Sequence, residues 1–246
     1  RNEDLAEVLL ANVRLPRQVM GDLEAQVIAN EVCARGVDEF LGDTGLPDLQ
    51  GLGAALHQRA DAAMRRAIAA LPDGTWHSTL EADGFDEAIT RIACAVTIKG
   101  DTMHIDFAGS SKLVDRGINC VLNYTHAYSV YPVKCALDPF TPRNEGSYGA
   151  ITVSAPEGSI LNPRFPAACS ARQLTGHLLA GAIYKALAPI MPDKIIAECG
   201  GAPTMRALFS GLDGAGDRFS QVLFASGGMG ASPHRDGLPT TAFPTN

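Results

Sequence analysis

Along the first third of the chain, apolar residues recur at helical spacing. Leu5, Val8, Leu9 and Val13 form one stripe and predict a helix over 3–14. The stretch RLPRQ interrupts it, because Pro16 cannot continue a helix interior. A second helix is expected over 21–41, with Ala25, Ile28 and Val32 on one face. GDTGLPD, 42–48, reads as a connection. A third helix follows, carrying Leu52, Leu56, Ala60, Ala63, Ala67 and Leu71, and the turn residues LPDG at 71–74 stop it.

The period then changes from helical to alternating. Ile92, Cys94, Val96 and Ile98 alternate with smaller or polar residues, and Met103, Ile105 and Phe107 do so again after KGD. With Gly100-Asp101 as a two-residue loop, Ile98 faces Met103, Val96 faces Ile105 and Cys94 faces Phe107. The opposite face then carries Thr97, Lys99, Thr102, His104 and Asp106. Residues 123–139 predict a helix with Pro132 inside it, and Ile151 and Val153 mark a short strand that turns at Pro156-Glu157-Gly158. Leu174, Leu178, Ile183 and Leu187 predict a helix over 171–188, and 206–210 and 219–225 read as strands. The expected fold class is α+β (mixed α/β): an N-terminal helical segment, 1–72, packed on a mixed sheet-and-helix part, 73–246, in a single domain.

Composition narrows the function classes. The 246 residues are 46% apolar and 19% charged, an ordinary globular balance. A net charge of -7 argues against nucleic-acid binding, and no apolar run reaches the length of a membrane span. The six cysteines are widely spaced without a CxxC pair, which predicts buried free thiols of a cytoplasmic protein. The chain opens at Arg1 and stops at AFPTN, and both ends read as cut from something longer.

TMHIDFAGSSK, 102–112, places His104 two residues from Asp106 on one strand face. A zinc site needs three or four ligands, and the hairpin offers only Thr97 and Lys99 nearby. His104 therefore reads as part of a polar strand face. Asp106 stands where the strand ends, as a catalytic candidate or a turn cap. In NEGSYG, Asn144 and Glu145 occupy a glycine-flanked turn, where Glu145 is a candidate base or a solvated carboxylate. Cys169 precedes a helix, a place that can activate a thiol, although a small buried cysteine is the commoner case. His177 lies too far along that helix to act on it directly. Arg172, in the first turn, is disfavoured by the helix dipole, which suits an anion ligand or a plain surface residue. Asp236 lies in the polar turn SPHRDG, after the glycine-rich ASGGMGAS. No Walker, GxSxG or HExxH motif occurs.

Four stretches together go further: LANVRLPRQVMGDLEAQVIAN, IDFAGSSKLVDRGINC, CALDPFTPRNEGSYGAITVSAPEGSILNPRFPAA and GGMGASPHRDG. In this order, and over nearly all of the chain, they resemble the hydantoinase B/5-oxoprolinase family. That family includes B subunits of hydantoinases, the C-terminal half of 5-oxoprolinases, and subunits of acetone and acetophenone carboxylases. The motif match marks Asp106, Gly109, Asn119, Asp138, Asn144, Glu145, Gly146, Asn162, Pro163 and Asp236. We take Asp106 and Glu145 as the catalytic candidates and Asn119, Asn144, Arg172 and Asp236 as the substrate-binding candidates. Asn119 can equally serve local backbone hydrogen bonding.

The resemblance implies an ATP-dependent amidohydrolase that opens a cyclic amide of the hydantoin, 5-oxoproline or lactam type. An A-type partner subunit would hold ATP and Mg and phosphorylate the substrate. A divalent metal would be held by the family's N-terminal part, which would precede Arg1, so no metal ligand is expected within this chain. The expected partners are that hydantoinase A-type subunit, the remainder of the B subunit and a cyclic amide or ketone. Two alternatives stay open: a ketone carboxylase component of the same family, and a non-catalytic assembly module. His104 departs from the family pattern, which has a plain strand residue there, whereas Asp106 matches it.

Overall fold

A computed structural model describes residues 2–84, 88–199, 206–224 and 227–239. Ala225 and Ser226 of the glycine-rich stretch and the AFPTN end lie outside the described residues. In chain order the elements are α1 (Glu3–Ala11), α2 (Pro16–Thr44), α3 (Gln50–Ala69), β1 (Gly74–Asp83), β2 (Ile89–Lys99), β3 (Thr102–Asp106), α4 (Leu122–Leu137), β4 (Ile151–Ser154), α5 (Gln173–Leu187), β5 (Arg206–Leu212) and β6 (Arg218–Phe224). They form two compact units. One comprises Arg1–Gly53 and Arg206–Phe224, and the other Ala54–Met205 and Ala225–Asn246. The boundary falls inside α3, so the units do not coincide with the helical and mixed parts of the sequence.

In the first unit, the Asn2 side chain accepts the Leu5 amide and caps α1, with Glu3 and Asp4 in its first turn. The helix ends at Ala11, short of the expected 14. Pro16 opens α2, because a proline is tolerated at the first helical position, where its lost N–H has no partner to miss. The helix runs on to Thr44 and closes at Gly45, whose φ of 67° satisfies the left-handed cap. Strands β5 and β6 pair antiparallel, from Arg206↔Phe224 to Leu212↔Arg218. Neither α1 nor α2 buries a residue among the described ones: Ile28 is 58% exposed and Val32 52%.

The second unit is a four-stranded sheet in the order β1-β2-β3-β4, with helices on one face. The expected hairpin is present, with Ile98↔Met103 and Val96↔Ile105 in register and Gly100 at φ 60° in the tight loop. The ladder ends at Asp106, so Cys94 and Phe107 are not paired in it, although both are buried. Ile92, Val96, Ile98, Met103, Ile105 and Ile151 line the inner face, where α4, α5 and Met64 and Ile68 of α3 meet them, with Ala60 buried on the same α3 stripe. The α3 stripe is thus rotated from the expected one: Leu52 and Leu56 are exposed and Met64 is buried.

Strand β1 was not expected from the pattern. Its inward positions are Trp76, Ser78 and Leu80, and only half-buried. Ser78 interrupts the apolar alternation because its hydroxyl donates to the Ala182 carbonyl of α5 at 2.6 Å. Strand β4 runs parallel to β3, pairing Met103↔Ile151 through Asp106↔Ser154, and α4 lies in the connection between them. That parallel pair places both strand ends, and the loops that follow, at one end of the sheet.

Candidate functional site

The polar outer face sets a row of Thr75, Thr97, His104 and Thr152 across the four strands, beside His77, Ala95, Asp106 and Ser154. His104 is held there by two hydroxyls of β4. Its Nδ1 lies 2.8 Å from Thr152 Oγ1 and its Nε2 3.1 Å from Ser154 Oγ. Ser154 Oγ donates in turn to Asp106 Oδ1 at 2.9 Å, and the Ala108 amide donates to the same oxygen at 3.1 Å. Asp106 is therefore both a turn cap and a fixed carboxylate, with Oδ1 engaged. Hydroxyls join His104 to Asp106 where a metal site would set a third imidazole, carboxylate or thiolate. No three such side chains converge among the described residues, so this pair does not fit a divalent ion.

Asn119 and Arg172 belong to the loops that leave β3 and β4 at the same sheet end. Those loops interlock through Ile160 N to Ser111 O, Leu113 N to Gly158 O and Ala171 N to Gly117 O. Asn119 is wholly buried and staples them. Its Oδ1 accepts the Val114 amide at 2.9 Å, and its Nδ2 lies 2.8–2.9 Å from the carbonyls of Val114, Arg116 and Ala168. Both amide hydrogens are engaged by backbone, which leaves none for a ligand. Arg172 caps α5 instead of lying in its first turn. Its guanidinium stands 5.2 Å over the Tyr124 ring and donates to the Cys169 carbonyl, so an exposed cation is held in place by an aromatic face.

The cysteines divide by burial. The Cys120 thiol donates to the Arg172 carbonyl, and burial pushes it up to about 12. Burial pushes Cys94 up to about 12 as well, helped by Asp106. Cys169 is half-buried and lies a turn ahead of Gln173, where α5 begins. Cys33 and Cys135 are exposed, against the expectation of buried thiols throughout, because each sits on an outward helix face.

Asn144 and Glu145 lie at the opposite end of β4, in the loop that precedes it. Asn144 Nδ2 donates to the Leu56 carbonyl of α3 at 3.3 Å, and the 3₁₀ turn Glu145–Tyr148 starts with an exposed Glu145. Gly146 is required there, because a Cβ would run into the His57 carbonyl. The start of this loop is fixed by a pair that sequence reading missed. Lys134 is 4% exposed, and its ammonium donates to Asp138 Oδ2 at 2.6 Å and to the Asp138 carbonyl. Burial acts to raise the Asp138 carboxyl, but the hydrogen bonds from Lys134 and Thr141 outweigh it and hold the group below its ordinary value. The only sequence signal for the pair was i,i+4 spacing across a helix end.

Asp236 is exposed, next to a turn closed by Ser232 N to Arg235 O at 2.9 Å. Its segment is tied to residues 197–199 through Ala197 N to Ala231 O and Gly230 N to Cys199 Sγ. The structure thus sets Asp106 at the end of β3, Asn119 and Arg172 on the loops that follow β3 and β4, Asn144 and Glu145 at the other sheet end, and Asp236 elsewhere. A cleft of about 260 Å³ between α5 and residues 195–199, lined by Leu80, Gly181, Tyr184 and Glu198, contains none of the six.

This fold is shared with ATP-dependent enzymes of known structure. It superposes on the crystal structure of ATP-dependent caprolactamase from Pseudomonas jessenii with a TM-score of 0.85 at 27% identity, over 98% of this chain and 42% of that one. It also matches the nucleotide-free structure of acetone carboxylase at a TM-score of 0.80 and 18% identity, over 96% of this chain and 34% of that one, a likeness of fold alone. The family model described as Hydantoinase B/oxoprolinase matches residues 1–246, and the chain belongs to that family. Among its relatives is the putative B-type component of a D-/L-hydantoinase from Pseudomonas sp. (strain NS671), 32% identical over 81% of this chain and 36% of its own length. The beta component of the Pseudomonas jessenii caprolactamase is 28% identical over 97% of this chain and 42% of its own length. The chain therefore spans well under half the length of these relatives. No helix among the described residues is long and apolar enough to cross a membrane.

Proposed function

We propose that this chain is part of the B subunit of an ATP-dependent amidohydrolase that opens a cyclic amide. The observation that carries the reading is membership of the Hydantoinase B/oxoprolinase family along 1–246, with relatives named for hydantoin and caprolactam. In this reading ATP and Mg are held by an A-type partner, which phosphorylates the amide oxygen, and a divalent metal is held outside this chain. The chain's own part lies at the end of the β3–β4 pair. Asp106 Oδ2 takes the proton of the water that attacks the activated amide carbon, while Ser154 and the Ala108 amide keep Oδ1 in place. Arg172, held over Tyr124, supplies positive charge to an anionic group of the substrate. Asn119 shapes the loop pair without touching substrate. Glu145, Asn144 and Asp236 act, if the complex brings them to substrate, from separate surfaces.

The test uses the full-length B subunit with its A-type partner. Cyclic-amide-dependent ATP hydrolysis is expected, and Asp106→Asn should lower kcat by about 10²–10⁴-fold. No turnover on any cyclic amide would remove the reading. Incorporation of labelled bicarbonate into a ketone product would replace it with a carboxylase, and inactivity on both substrate classes would leave an assembly module.

A further inference from the structure

A second cleft lies within the first unit, and none of the six candidate residues lines it. It measures about 760 Å³ and is walled by the α1–α2 connection on one side and the tip of the β5–β6 hairpin on the other. Three arginines line it: Arg14, Arg17 and Arg218. Among the described residues, no ion pair or side-chain hydrogen bond engages the guanidinium of any of the three. Several other arginines of the chain are paired: Arg65 with Asp61 and Asp101, Arg91 with Glu81, Arg164 with Glu157. In a chain with 27 acidic residues against 20 basic ones, three unpaired guanidiniums around one cleft are a local excess of charge. Among the described residues, the only carboxylate in the lining is that of Asp217.

Both walls are built locally. On the hairpin side, Asp213 Oδ1 accepts the amides of Ala215 and Asp217, each at 2.9 Å, and so sets the tip from which Arg218 leaves. On the helix side, Asn12 closes α1 and Pro16 opens α2, which fixes the bend that carries Arg14 and Arg17. The first turn of α2 has no acidic residue and no side-chain cap, and carries Arg17. Cations there repel the helix dipole and one another, a cost that an anion in the cleft reverses.

We infer that the Arg14–Arg17–Arg218 cleft binds a phosphate-bearing anion. Guanidinium forks match phosphate oxygens in pairs, and the cleft has room for more than one phosphate group. The same chemistry serves a free polyphosphate or the phosphate end of a larger organic molecule.

The test is calorimetric titration of the full chain with pyrophosphate, inorganic phosphate and a nucleoside diphosphate without metal, at about 150 mM salt. Pyrophosphate should bind, and each of Arg14→Ala, Arg17→Ala and Arg218→Ala should weaken it roughly tenfold or more. Arg164→Ala, at a guanidinium paired elsewhere, should leave it unchanged. Arg218→Lys keeps the charge without the fork and should weaken binding less than Arg218→Ala, which covers the case of an alanine variant that does not fold. Tighter binding of the nucleoside diphosphate points to an organic phosphate, and equal binding of all three anions to free phosphate. Absence of binding, or losses no greater than that of Arg164→Ala, overturns the inference. An acidic peptide that binds through the same arginines where pyrophosphate does not would overturn it in favour of a protein partner.

Discussion

Met64 and Ile28 are both apolar residues on a helix face, and they end in opposite environments. Met64 is wholly buried against the sheet, while Ile28 is 58% exposed on a helix of 29 residues. The contrast extends to their units. The second unit places Ile92, Val96, Ile105 and Phe107 at no exposure, whereas α1 and α2 bury nothing among the described residues. Periodicity states that a helix face is suited to cover. It does not state which element supplies it. For α3 the cover is the sheet of the second unit. On α2 the positions Ile28 and Val32 stay more than half exposed among the described residues.

This contrast can be broken or sharpened by mutation. The largest effect is expected at Phe107→Ala, about 3–5 kcal/mol lost in urea unfolding, because a large wholly buried ring leaves a cavity at the end of β3. A loss under about 1 kcal/mol would mean that the core is not packed as described. Lys134→Ala should cost about 3 kcal/mol, since it leaves the half of an ion pair that is 12% exposed without its partner. The same pair predicts a pH dependence. The Asp138 carboxyl is lowered from 3.8, so its contribution is fully present above about pH 4 and is lost as pH falls through the folded value. An acid unfolding curve that Asp138→Asn leaves unchanged would contradict the pairing.

Smaller effects follow at the candidate site. Asn119→Ala should cost about 2 kcal/mol by orphaning loop carbonyls, and should lower activity only through the loops. A normal Tm with altered KM would instead make Asn119 a substrate contact. Ser154→Ala should cost about 1 kcal/mol and leave the Ala108 amide as the remaining donor to Asp106 Oδ1, which is expected to lower kcat less than Asp106→Asn does. Smallest of all is Val32→Ala, within about 0.5 kcal/mol for this chain alone. A loss comparable to Phe107→Ala would show that the exposed face of α2 is covered in solution.

Much of the fold was legible beforehand, for reasons tied to particular residues. The hairpin register followed from matching apolar pairs across Gly100-Asp101. Helix α5 followed from Leu174, Leu178, Ile183 and Leu187. Strand β1 was not legible, because Ser78 replaces an apolar inward residue through a hydrogen bond to a helix 104 residues away in sequence. The candidate site was less legible still. Asp106 could be singled out by its place at a strand end, but Thr152 and Ser154 touch His104 only because β4 adds to the sheet in parallel beside β3. Asp138 was marked by its motif alone, and its buried partner Lys134 was not singled out.

The amino-acid sequence by itself determined the mixed α/β class, the helices, the hairpin and the family, because these rest on local periodicity, turn chemistry and ordered motifs. Only the tertiary structure decided that Asn119 and Arg172 lie on the loops beyond Asp106, that Asn144 and Glu145 lie at the other sheet end, and that three arginines from two distant segments line one cleft. Those placements depend on which strand pairs beside which and on how loops interlock. Contacts between residues dozens of positions apart have no trace in local pattern.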